Sequence, residues 1–146
     1  MAVTHTNNWK NILDKLQNVL RSEFKGALPV YKGQKQQAGT RFLRLIPIGS
    51  ELSTYNINGE IREFTVNMEL YFNESNIKDT ALDEILRMVS RIEALIHDNI
   101  TMTLADPNNS SAFNCRIEST ELNAAEGEEL YLVVFEWKCQ HQGNLD

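Results

Sequence analysis

The chain has 146 residues, enough for one ordinary domain with a core that needs neither disulfides nor metals. Apolar residues make up 42% and charged residues 23%, the balance of a folded globular chain and not of a disordered one. A net charge of −6 argues against a broad grip on phosphate backbones. Cys115 and Cys139 are too few and too far apart for a secreted disulfide framework or a metal-binding C-x-x-C cluster. The polar first nine residues lack the basic and apolar segments of a signal peptide, and no stretch approaches the roughly 18 apolar residues of a membrane span. The chain therefore reads as one made in the cytosol.

The first element in chain order is a helix. Trp9, Ile12, Leu13, Leu16, Val19, Leu20 and Phe24 recur at steps of three and four, which makes one apolar face. Asn7 or Asn8 suits its N-cap and Gly26 its end. Leu28, Val30 and Tyr31 predict a short extended piece, and residues 32–39 (KGQKQQAG) a polar loop.

Strands follow. Residues 41–48 (RFLRLIPI) are rich in branched and aromatic side chains, with Pro47 and Gly49 marking a bend or bulge. Asn58-Gly59 is a strong hairpin signal, because both residues tolerate positive φ. Beyond it Phe64, Val66, Met68, Leu70 and Phe72 alternate with Glu63, Thr65, Asn67, Glu69 and Tyr71. That pattern predicts a strand with one face in the core and the other toward water or a partner.

A second helix is expected from about Thr80, with Thr80 and Asp83 as an approximate capping box. Leu82, Ile85, Leu86, Val89, Ile92, Leu95 and Ile96 form its apolar stripe. Residues 101–104 predict a brief strand and 106–111 (DPNNSS) a loop. Phe113, Cys115 and Ile117 open a strand ending near Leu122, and residues 130–140 form the last one. There Tyr131, Val133, Phe135, Trp137 and Cys139 share a face. The ends, residues 1–6 and 142–146, are expected to be flexible, with His141 in the fraying tail.

Helices set against runs of hairpin-linked strands define an α+β chain. The expectation is a single domain over residues 1–146. It is a mostly antiparallel sheet of about four to five strands with two amphipathic helices packed on one face.

Reactive groups do not gather in the sequence. His5 and His141 fall in the ends, and His97 closes the second helix, where its positive charge suits the helix dipole. Cys115 and Cys139 are expected nearly opposite each other on the last hairpin, as two small buried side chains. Glu126, Glu128 and Glu129 lack the alternating ligand spacing of a calcium loop. No nucleophile elbow, zinc-protease or phosphate-loop motif is present, so the chain reads as neither an enzyme nor a cofactor or metal carrier. Lys32, Lys35, Arg41 and Arg44 are the one local basic concentration. They suit ordinary surface charge, or an ionic contact with an acidic neighbouring subunit.

A long polar loop, a hairpin tip around Asn58 and the mixed face carrying Glu69 and Tyr71 suit a subunit of a ring or stack. Lys32, Lys35, Arg41, Arg44, Asn58, Glu69 and Tyr71 are the candidate subunit-interface residues. A small binding module or enzyme, with a site on the sheet face built from Tyr71, Arg41 and His97, is the reading from another class.

The layout resembles the tail terminator, or tail completion, proteins of long-tailed bacteriophages. The resemblance covers nearly the whole chain: N-terminal helix, long hairpin through Asn58-Gly59, helix over residues 80–97, closing hairpin over residues 113–140. Its most suggestive part is the strand of residues 63–72 leading through a short spacer into an amphipathic helix. The resemblance implies a virion structural protein of the phage tail or neck, assembled in the host cytoplasm. It implies a homo-oligomer, a hexameric ring, that caps the tail tube and meets the head-side connector or stopper protein. Genomic DNA would pass through that ring without specific binding. A head–tail connector or stopper is the neighbouring role, and no catalytic residue, cofactor or membrane is implied.

Overall fold

The computed structural model describes residues 7–25, 28–33, 41–56, 59–73, 79–105, 110–124 and 130–143. The helix α1 spans Asn8–Phe24. Asn7 caps it as expected, its side-chain oxygen accepting from the Lys10 backbone N–H at 3.2 Å. Lys25, with φ 54°, closes it by donating its N–H to the Arg21 carbonyl. After α1 come β1 (Val30–Lys32), β2 (Arg41–Asn56) and β3 (Gly59–Asn73). Helix α2 (Asp79–Asp98), β4 (Met102–Thr103), β5 (Ser111–Ala124) and β6 (Leu130–Gly143) complete the order. Because α2 begins at Asp79, Thr80 lies inside its first turn and not at the cap.

The strands form one sheet in the order β1-β2-β3-β6-β5-β4. Six strands replace the four to five expected, and the sheet is mixed, since β1 runs parallel to β2. The brief strand expected at residues 101–104 is β4, and the short extended piece at residues 28–31 becomes β1, whose three residues are too few for a period-two pattern to show. All other neighbours are antiparallel.

The alternation read along β3 holds. Phe64, Val66, Met68, Leu70 and Phe72 are buried, and so are Val133, Phe135, Trp137 and Cys139 of β6 and Leu43 and Leu45 of β2. All belong to one core with Ile12, Leu16, Leu20 and Phe24 of α1 and Ile85, Ile92 and Ile96 of α2. Both helices therefore cover the same face of the sheet, as predicted. Trp9 closes one end of this core edge-on against Phe64, ring centroids 5.5 Å apart.

The chain's last histidine departs from expectation. His141 does not fray: it is buried at 4% exposure, within β6. It sits between Arg62 of β3 and Ala112 of β5, and its Nε2 meets the Ser110 hydroxyl at 3.0 Å. Strands on both sides hold a segment that chain position alone would leave loose.

Cys115 and Cys139 are free and buried, as expected. A bulge between Phe113 and Arg116 sets Cys115 beside the β6 strand. The hydrogen bond between the two thiols, and then burial, pushes the Cys139 thiol far above its ordinary range, so it stays protonated. Among the described residues no helix is long and apolar enough to cross a membrane.

Candidate subunit interface

The face of the sheet away from the helices carries the side chains that alternate with the core. From β3 these are Glu63, Thr65, Asn67, Glu69 and Tyr71, all half-buried. Their cross-strand neighbours are Gln140, Lys138, Glu136, Val134 and Leu132 of β6. Two zones share this open face.

The first zone is aromatic. Phe42 stacks on Tyr71, centroids 4.8 Å apart and rings 13° from parallel, and Tyr31 meets Phe42 edge-on at 6.2 Å. Arg44 lies over the Tyr71 ring at 4.5 Å. Its guanidinium donates to the Glu69 carboxylate at 2.6 Å and to the Tyr71 hydroxyl at 2.6 Å. The Arg44 and Glu69 side chains are only 14% and 18% exposed, so their charges interact through protein more than through water. Arg44 Nε is buried with no hydrogen-bond partner among the described residues.

The second zone is a charge lattice. Glu63 accepts from Arg116 at 3.1 Å and lies 3.6 Å from Lys138. Arg116 also holds Glu118 at 2.6 Å, and Lys138 lies 3.5 Å from Glu136. Burial works against the Lys138 charge, but Glu136 and Glu63 outweigh it and raise its pKa.

The predicted interface residues divide among these surroundings. Arg44, Glu69 and Tyr71 come together in the aromatic zone. Arg41, at the start of β2, sits at the edge of the helical layer, with its guanidinium over Phe72 at 4.5 Å and paired to Glu84 of α2 at 2.6 Å. Lys32, on the edge strand β1, pairs with Asp14 of α1. Hydrogen bonds from Lys10 and then Lys32 hold the Asp14 carboxyl below its usual range. Lys35 and Asn58 lie outside the described residues. Of the local basic concentration in the sequence, Lys32, Arg41 and Arg44 are thus dispersed, each engaged within its own chain.

The trio Tyr71, Arg41 and His97 does not converge. Arg41 and Tyr71 point to opposite sides of the sheet, and Arg41 reaches the first turns of α2 while His97 lies in its last turn. The cleft that His97 lines, about 250 Å³, is shared with Ile96, Ile100 and Arg116 and holds neither of the other two.

The lattice of Glu63, Arg116 and Lys138 was missed in the sequence. Alternation gives the face of each residue, but only the register Glu63↔Gln140 and Arg116↔Lys138 brings three strands' charges together. Also missed were Ile48, Leu52 and Tyr55, which are 55%, 49% and 65% exposed on the far half of β2. Apolar residues in a strand pattern are assigned to the core by default.

No protein-family model matches the chain, and no curated protein does at a significant level. Solved structures do match in fold. A chain in the virion of a native gene transfer agent particle superimposes with a TM-score of 0.61. That match covers 95% of this chain and all of the other, at 9% identity. A second solved structure matches over 95% of both chains, with a TM-score of 0.57 and 12% identity. The likeness is one of fold.

Proposed function

We propose that this chain is a virion structural protein whose work is assembly and not catalysis, and that its place is the tail terminator. In that role copies of the chain form a ring, taken as a hexamer, that caps the tail tube and meets the head-side connector. The reading rests on one observation above all: the fold spans the full length of a chain in a gene transfer agent virion. The layout that resembles the tail terminators of long-tailed phages supports the narrower assignment. So does the open face, where aromatic rings and paired charges lie outside the helix-covered core.

Two measurements test it. Light scattering of the purified chain over a range of concentrations is expected to show conversion to a ring-sized species, visible as rings by negative-stain microscopy. A monomer at every concentration overturns self-assembly in solution. Removing the chain from the particle that carries it is expected to leave tubes of uncontrolled length. Tubes of normal length with unjoined heads would move the assignment to a connector or stopper.

A further inference from the structure

Among the described residues, the two outer long strands are each covered along only half of their outer edge. On β2 the strand β1 pairs with Leu43, Arg44 and Leu45, and among the described residues no strand pairs with the outer edge of residues 46–56. On β5 the strand β4 pairs with Ser111 and Ala112, the Cys115 N–H donates to the Ile100 carbonyl, and no described strand pairs with the outer edge of residues 116–124. An unpaired edge presents a row of backbone donors and acceptors that a further strand would satisfy.

Resting on the ring reading above, we propose that the free edge of β2 in one copy pairs antiparallel with the free edge of β5 in the next. Strand polarity favours this occupant. Each step across β2-β3-β6-β5 is antiparallel, so β2 and β5 run in opposite directions within the sheet. A second copy in the same orientation therefore brings its β5 antiparallel to the β2 of the first, without being turned over. The free halves lie at opposite ends of the sheet, so the neighbour sits shifted along the strands. The contact is head-to-tail, the kind that generates a ring when the rotation closes.

The outward positions follow from hydrogen bonds already made. Leu43 donates outward to the Pro29 carbonyl, and the Leu45 carbonyl accepts outward from Gly33. Alternation, carried through the register shift between Pro47 and Gly49, turns the N–H groups of Ser50 and Leu52 to the free edge. Cys115 donates outward in the same way, and the shift between Ile117 and Ser119 turns out Thr120 and Leu122. Pro47 and the irregularities along β2 break its edge into short runs, so side chains share the contact. Leu52 and Tyr55 on one edge and Leu122 on the other are large apolar side chains, 49%, 65% and 41% exposed.

Proline placed where an N–H faces the free edge removes one intermolecular hydrogen bond and none within the sheet. Leu52→Pro and Thr120→Pro are each expected to stay monomeric at concentrations where the wild type assembles, with an unchanged melting temperature. Mixed in equal amounts they are expected to stop at dimers, because each supplies the one edge the other lacks. If a proline variant loses its folded circular-dichroism signal, Leu52→Asp and Leu122→Asp test the same contact through exposed side chains. Variants that assemble like an oligomeric wild type overturn the edge pairing and leave the ring reading standing. A wild type that remains monomeric throughout overturns the ring reading and the pairing with it.

Discussion

Along β3, Phe64, Val66, Met68, Leu70 and Phe72 lie under the helices at 6% exposure or less. Between them, one residue out of step, stand Glu63, Thr65, Asn67, Glu69 and Tyr71 on the open face. The same backbone thus serves two kinds of chemistry. On the covered face each large side chain removed from water is worth about 1.5–3 kcal/mol. On the open face the contacts are ion pairs and ring contacts, and an exposed ion pair is worth about 0–1 kcal/mol. Most of the stability therefore resides under the helices, and the open face holds its part-buried share in Arg44 and Glu69.

Exchanging the chemistry of the two faces separates their roles most clearly. Leu70→Asp places an unpaired charge where exposure is 0%, and loss of soluble folded protein is expected on expression. Thr65→Asp, on the same strand but opposite Lys138, is expected to change stability by less than about 0.5 kcal/mol in urea unfolding. Equal damage from both would show that a partner-free chain also depends on its open face.

Within the open face the side chains are not equivalent. Arg44 is more buried than any other open-face cation, and its loss leaves Glu69 and the Tyr71 hydroxyl without their donor. Arg44→Ala is expected to cost about 1.5–3 kcal/mol of unfolding free energy. Arg44→Lys is expected to recover only part of it, since one ammonium does not reproduce a planar fork over a ring.

The smallest effect concerns the rim, where Asp14 tethers β1 to α1 through Lys32. The Asp14 carboxyl is held below its ordinary value in the folded chain, so its contribution is present above about pH 4, the unfolded value. That contribution is lost as pH falls through the lower, folded value. In melting curves below pH 5, the wild-type advantage over Asp14→Asn is expected to shrink toward zero as the solution is acidified. A constant advantage would mean that the ion pair contributes nothing.

Much of this arrangement was legible before folding was considered. The apolar steps of α1 and the strict alternation of β3 and β6 follow from side-chain periodicity alone, because a helix and a strand each repeat a face at a fixed interval. That Glu69 and Tyr71 share a face with one another and not with Leu70 is local knowledge of the same kind. The brief strand β4 was legible at residues 101–104 and β1 as a short extended piece, but that β1 joins the sheet parallel to β2 was not, because two or three residues carry no period. The four cations drew attention as neighbours in sequence, yet Lys32 and Arg41 turn to the helices while Arg44 turns to the open face.

The long elements, their buried faces and the α+β class follow from local sequence, since each depends on residues within a few positions of one another. Tertiary structure alone decided the register, which places Glu63 between Arg116 and Lys138 and Arg44 beside Glu69. It alone kept His141 inside the sheet and left the outer edges of the far halves of β2 and β5 with no described strand beside them. The reason is physical: a side chain's face is set by backbone geometry along one strand. Its partners are set by which other strand the whole chain brings alongside, and at what offset.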